Sequence, residues 1–218
     1  KIPMNFNKPF FAVSPSDFWR RWHISLSTWV RDYLFNEIIF RKLNSDVIYV
    51  IGLIVTFFLL GLWHGAGWNF IIFGLLHGSY VSIEFIVRRK IPYLSNNKFF
   101  SSKIGIIFSI LVTQYLIFLA FIPFRITDIT EMLYVMEKFI ILEINFSEIL
   151  PFILSHKLPL SLMSLFMILH FISYRNPSLL EKISKLRIRY WGLVLGIILF
   201  SIVFFYSGNS SDFIYFRF

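Results

Sequence analysis

The chain has 218 residues, 57% of them hydrophobic, 20% aromatic and 15% charged, with a net charge of +9 and no cysteine. A soluble domain carries about 25% charged residues, and a core of this size has no room for 28 Phe side chains, so much of the surface must face lipid. Disulfide frameworks and thiolate chemistry are excluded. The chain opens on Lys1 without a cleavable signal pattern, residues 1–13 reading as a polar-aromatic loop. The expectation is a partial chain with further helices ahead of it.

In chain order, residues 14–33 come first as a predicted amphipathic helix. Ser14 suits the N-cap, Pro15 the first helical position, and Asp17 follows Ser14 by three as in a capping box. Phe18, Trp22, Leu26, Trp29 and Tyr33 recur at helical spacing and form one stripe, flanked by Arg20, Arg21 and Arg31. This pattern predicts a helix in the headgroup layer with its aromatic face turned to lipid. Residues 47–83 lack Asp, Glu, Lys and Arg. The stretch is long enough for two spans, as a hairpin over 47–87 broken at His64-Gly65-Ala66-Gly67.

Three further uncharged stretches, 104–124, 158–174 and 190–211, predict one span each. Between the first two, residues 127–139 read as a second interfacial helix that starts with a cap at Thr127. Lys157 and Pro159 break the apolar run 149–156 from the next span. The fold class is therefore all-α: a polytopic membrane bundle of five spans plus interfacial helices, taken as one membrane domain over 1–218. Under strict alternation, seventeen of the 21 Lys and Arg residues fall on the side that holds 1–46. Positive residues mark the cytoplasmic side, so residues 1–46 are expected inside and the C-terminus outside. This accounts for the basic charge without nucleic acid as a partner.

His64 lies in the uncharged hairpin beside Trp63 and the glycine-rich break. An ionisable group there is costly and marks either a functional site or a neutral ring bonded to a backbone carbonyl at the break. An imidazole suits O-acyl transfer, since it can take the proton of a hydroxyl as that oxygen attacks a thioester. Asn69 could bind a substrate oxygen or the unwound backbone. Arg20 and Arg21 could hold the phosphates of a coenzyme A donor or lipid headgroups. His23 alone reads as a polar residue near water. His77 sits in Gly74-x-x-x-Gly78, and Gly61-x-x-x-Gly65 has the same spacing; both read as close helix packing. There is no G-x-x-x-x-G-K-[ST] loop, no G-x-S-x-G elbow and no H-E-x-x-H in the sequence, and carboxylates are too sparse in the spans for a metal site.

The motifs Asn5-Phe6-Asn7-Lys8-Pro9-Phe10 and Asp17-Phe18-Trp19-Arg20-Arg21-Trp22-His23-Ile24-Ser25 resemble the bacterial branch of the membrane-bound O-acyltransferase family. Gly61-Leu62-Trp63-His64-Gly65-Ala66-Gly67-Trp68-Asn69-Phe70 and Gly74-x-x-His77-Gly78 are similar to its second signature. Phe124-Arg125 and the final Phe213-Ile214-Tyr215-Phe216-Arg217-Phe218 resemble landmarks of the alginate O-acetyltransferase subgroup.

The resemblance implies the C-terminal portion of a larger helical bundle around a tunnel, with His64 catalytic and His23 a second important position. In that reading His64 is the base, and His23 orients the donor or assists proton transfer. Trp63, Trp68 and Asn69 shape the pocket, while Trp22, Arg20 and Arg21 meet substrate. Acetyl-CoA, or another acyl thioester, is the donor substrate, with no bound cofactor or metal. The acceptor is a hydroxyl of an envelope polysaccharide or a relay partner, served by an extracytoplasmic partner protein at the bacterial inner membrane. The alternatives are D-alanyl transfer to teichoic acids and a non-enzymatic membrane subunit of a polysaccharide export complex.

Overall fold

A computed structural model describes residues 3–40, 45–95 and 97–205. The described residues form helices and loops, with no strand among them. The chain divides into two compact units, residues 1–149 and 150–218.

The first unit is built on the expected hairpin. Helix α4 (Asp46–His64) and helix α5 (Trp68–Lys90) are joined by residues 65–67, and both are long and apolar enough to cross a membrane. Ser45 caps α4 by accepting from the Ile48 N–H. At the same end Asp46 pairs with Arg89 at 2.6 Å and Lys90 at 3.3 Å, so the basic end of α5 closes the base of the hairpin. The glycines of both Gly-x-x-x-Gly patterns let the two backbones touch. A Cβ on Gly61 would stand 2.3 Å from the Phe70 carbonyl oxygen, and one on Gly74 would stand 2.3 Å from that of Phe57. The third crossing, α8 (Lys103–Arg125), packs on α5. It starts at a Ser102 cap and ends just past Pro123, with the Asn69 side chain donating to the Pro123 carbonyl at 3.1 Å. The His64 end of the hairpin therefore shares its level with the Arg125 end of α8.

The segment expected as one interfacial helix is two. Helix α1 (Pro15–Arg21) and helix α2 (Ile24–Val30) are separated at Trp22–His23. A π-helical turn (Arg31–Phe35) and helix α3 (Asn36–Ile39) follow. The cause of the break lies outside the segment. A helix start leaves N–H groups without intrahelical acceptors. The Asn5 carbonyl takes the Ile24 N–H at 2.9 Å, and the Asn5 side chain takes the Ser25 N–H at 2.9 Å. With those donors satisfied from elsewhere, the chain can turn through a left-handed residue at His23 (φ 43°, ψ 55°).

The expected orientation is corrected as well. Ser16 donates to the Glu84 carboxylate on α5 through its N–H (2.8 Å) and hydroxyl (2.7 Å), and Trp19 donates to His77, about two turns nearer the start of α5 on the same face. Glu84 and His77 are about 10 Å apart along α5 at 1.5 Å per residue. The stripe thus turns in part to α5 and α8 rather than wholly to lipid. Phe18 is fully buried against Ile117, and Val30 packs on Phe57 and Leu60. Trp29 and Tyr33, from the same predicted stripe, remain exposed.

The cap of α1 is as read, with Ser14 accepting from the Asp17 N–H at 3.2 Å. The Asp17 carboxylate reaches one residue further back than a capping box, to the Val13 N–H at 3.1 Å. Ser14→Ala should cost about 1 kcal/mol, read as faster hydrogen exchange of the α1 amides in the full-length protein. Unchanged exchange would show that Glu84 alone holds the helix start.

Helices α6 (Pro92–Ser95) and α7 (Lys98–Ser101) are short connectors before α8. Helix α9 (Ile129–Ile140) is the second amphipathic element, but its N-cap is Asp128, which accepts from Glu131 N–H at 2.8 Å. The cap thus lies one residue past Thr127, on a carboxylate that is the stronger acceptor. Helix α10 (Phe146–Ser155) carries the chain across the unit boundary.

In the second unit, α11 (Lys157–Arg175) is the fourth helix long and apolar enough to span, with its window unburied by protein. Lys157 and Pro159 fall in its first turn, where proline is tolerated. Helix α12 (Leu179–Ser184) leads to α13 (Ile188–Phe205), an apolar helix on the fifth expected span. The rest of that span, the landmark at 213–218 and the expected outer C-terminus lie outside the described residues.

Candidate active site

His64 is the last residue of α4, where the helix must stop. Gly65 takes φ 158°, ψ 155°, backbone that is essentially open to glycine alone. A Cβ there would also stand 2.6 Å from the Phe70 ring. The break thus projects a half-buried imidazole from the helix end into aromatic walls. Ring centroids lie at 4.7 Å (Trp63), 4.9 Å (Phe124), 5.7 Å (Phe73) and 6.2 Å (Phe70). Phe124, noted in the sequence only as part of a landmark, is thereby a wall of this site.

His23 stands at the α1–α2 break beside the same aromatic cluster: its neighbour Trp22 lies 5.9 Å from Phe121, which stacks at 6.1 Å on Phe73, a wall of His64. Phe6 stands over the turn, edge-on to Trp22 at 5.0 Å and 6.2 Å from His23. The His23 Nδ1 is buried and has no hydrogen-bond partner among the described residues. Trp22 stacks on Phe18 at 5.5 Å and lies 5.9 Å from Phe121 of α8, which fixes the turn against the spans.

The other sequence candidates separate. Trp63 and Trp68 flank the break and are both more than half exposed. Asn69 is buried, and its amide N–H bond to Pro123 ties α5 to α8. Arg21 is held by Asp17 at 2.9 Å. Arg20, 3.6 Å from the same carboxylate, lines a cleft of about 490 Å³ bounded by α1, α2, the π-turn, α4 and α5. Arg31, read earlier only as a flanking charge, lines it too, as do Ser27, Thr56 and Leu60. Arg31 donates to Asp32 at 2.8 Å, which holds the Asp32 carboxyl below its ordinary value. Leu60 stands one helical turn before His64. Among the described residues, no three His, Asp or Glu side chains converge as a metal site would need.

Three residues of this region escaped the sequence reading of the site. Asn5 braces the His23 turn, Phe124 walls His64, and His77 bonds Trp19. Asn5 and Phe124 lay within motifs already noted, but their partners are 19 or more residues away and left no local signal.

The profile of MBOAT, the membrane-bound O-acyltransferase family, matches residues 1–111, half of the chain. The chain is 46% identical over 84 residues to the peptidoglycan O-acetyltransferase of Helicobacter pylori, covering 38% of this chain and 16% of that protein. It is 50% identical over 84 residues to the probable alginate O-acetylase AlgI of Azotobacter vinelandii, covering 38% and 17%. It is 45% identical over 83 residues to the teichoic acid D-alanyltransferase of Bacillus subtilis, covering 35% and 21%. The matched stretches thus span about a fifth or less of these curated relatives. With apolar helices that can cross a bilayer several times and a family profile over half of its length, this multi-pass membrane chain belongs to the membrane-bound O-acyltransferase family.

Proposed function

We propose that the chain carries the reacting centre of an O-acyltransferase that moves an acyl group, acetyl in our reading, from a thioester to a hydroxyl of an envelope polysaccharide or a relay partner. The observation that carries this is that His23 and His64 each stand at a backbone break beside one aromatic cluster, through Trp22, Phe121 and Phe73. A left-handed non-glycine residue costs of order 1–3 kcal/mol. At His23 that cost goes into aiming an imidazole whose Nδ1 makes no structural bond among the described residues.

In this reading His64 takes the hydroxyl proton as the oxygen attacks the thioester carbonyl. The C–O bond forms, the C–S bond breaks, and the proton passes to the leaving thiolate. His23 orients the donor or assists that proton transfer. Trp63 and Trp68 border the reacting groups, with Asn69 holding the α5–α8 frame. The donor is acetyl-CoA or another acyl thioester arriving from the cytoplasm. Its phosphates are met by Arg20, with Arg31 at the same cleft. Residues 1–46 face the cytoplasm of a bacterial inner membrane, following the Lys/Arg bias, and an extracytoplasmic partner protein receives or guides the acyl group.

The test uses the full-length protein in proteoliposomes, offered acetyl-CoA or a D-alanyl thioester, with the polymer product weighed by mass spectrometry. Addition of an acetyl mass is expected. An alanyl mass instead would select the chemistry named for the Bacillus subtilis relative, and no transfer from either donor would remove the proposal. His23→Gly separates the roles at the turn. Glycine relieves the left-handed strain, so thermal stability should hold or rise, while transfer falls by about tenfold or more. Full activity in His23→Gly would reduce His23 to a turn residue.

A further inference from the structure

We propose that His77 is a positioning residue whose bond to Trp19 sets α1, and the His23 turn at its end, against the His64 end of α4. This rests on the reading above and assigns it a support outside the reacting pair.

His77 is fully buried. Its Nδ1 accepts from the Trp19 indole N–H at 3.3 Å, with the two rings edge-on at 5.0 Å. Phe18 and Phe57 lie nearly parallel to the imidazole at 6.4 and 6.2 Å, and Phe73 meets it at 4.7 Å. Phe73 is itself a wall of His64, at 5.7 Å. His77 therefore touches both halves of the centre. It reaches His64 through Phe73, and it reaches His23 through Trp19, one turn before Trp22 and the break.

Helix packing accounts for the glycines on either side but not for the imidazole. Gly74 lies against the Phe57 backbone and Gly78 against Ile54, both on α4, and leucine at position 77 would fill the space without burying two ring nitrogens. Burying a polar group costs free energy unless it is bonded. With Nδ1 accepting, the ring proton sits on Nε2, which is buried with no partner among the described residues. What the site gains is direction. Together with the Ser16 bonds to Glu84 at the start of α1, the indole N–H bond near its end fixes the rotation of the helix about its axis, and that rotation decides where the next turn points His23.

The experiment uses the full-length protein in nanodiscs, as Trp19→Phe, His77→Leu and His77→Asn. Phenylalanine keeps the ring and removes the donor, leucine removes the acceptor, and asparagine returns an acceptor oxygen near the place of Nδ1. Trp19→Phe and His77→Leu should lower kcat by about tenfold to 10²-fold, the scale of a misplaced reacting group. KM for the thioester should rise with it, because Arg20 rides on α1 and lines the donor cleft, and His77→Asn should recover most of the rate. A second readout does not depend on turnover. The rate at which diethyl pyrocarbonate modifies His23, followed by mass spectrometry, should rise in Trp19→Phe and His77→Leu and return toward wild type in His77→Asn. Equal modification rates in all four proteins would overturn the proposal. So would a kcat loss in His77→Leu that asparagine does not recover in protein of wild-type melting temperature. Should the acyl chemistry itself fail, as shown by an active His64→Ala protein, the modification rates still decide whether His77 positions the turn.

Discussion

Full-length protein carrying His64→Ala should transfer acyl groups about 10²–10⁴-fold more slowly than wild type, the range typical of a lost general base. Its abundance in the membrane should not change. The side chain sits at the end of α4, half-buried, and its removal leaves Trp63, Phe70, Phe73 and Phe124 standing around the gap. Removal of the ring therefore does not break the hairpin. His64→Gln sharpens the result, because an amide can bond a hydroxyl but cannot carry its proton away at neutral pH. A glutamine protein as slow as the alanine protein assigns proton transfer to His64, whereas one near the wild-type rate assigns it only orientation. Wild-type transfer in His64→Ala, at equal expression and saturating donor, would falsify the assignment of the base.

Gly61→Leu should disable the protein by a different route, through the backbone. A Cβ at Gly61 would lie 2.3 Å from the Phe70 carbonyl oxygen and 3.2 Å from its carbon. No rotamer relieves a clash with main chain, so α4 and α5 must separate. Overpacking of this kind costs about 1–3 kcal/mol and occasionally more, and small residues at such crossings are what permit close helix approach in lipid. The separation would also move the His64 end of α4 away from Phe70 and Phe73 on α5. A misplacement near 1 Å can cost about 10²-fold in rate. Both the melting temperature and the transfer rate should fall, and Gly61→Ala should be intermediate. A Gly61→Leu protein with normal stability and rate would mean the two helices do not meet as described.

The spans were legible because lipid imposes a simple rule. A segment without charges and about 20 residues long has few other places to go, and 47–83 and 104–124 became α4, α5 and α8 within a few residues of their expected ends. The hairpin break at Gly65 was legible for an equally local reason, since glycine permits backbone that other residues resist. The break at His23 was not. Nothing in Trp22-His23-Ile24 interrupts helical periodicity, and the acceptors that make the turn possible belong to Asn5. The same limit explains the aromatic stripe of residues 18–33. Periodicity marks a face as apolar but does not say whether lipid or another helix covers it. Here Phe18 and Trp22 pack against α8 while Trp29 and Tyr33 remain exposed.

Sequence alone was enough to determine an all-helical membrane chain, its hairpin, and two histidine-bearing signatures of one family, because composition, span length and motif are properties of contiguous residues. Only tertiary structure decided that Trp22, Phe121 and Phe73 form one aromatic cluster between the two breaks, that Arg31 rather than Arg21 joins Arg20 at the cleft, and that His77 holds Trp19. Each of these depends on contacts between residues distant in the chain, whose direction is set by how α1 packs on α5.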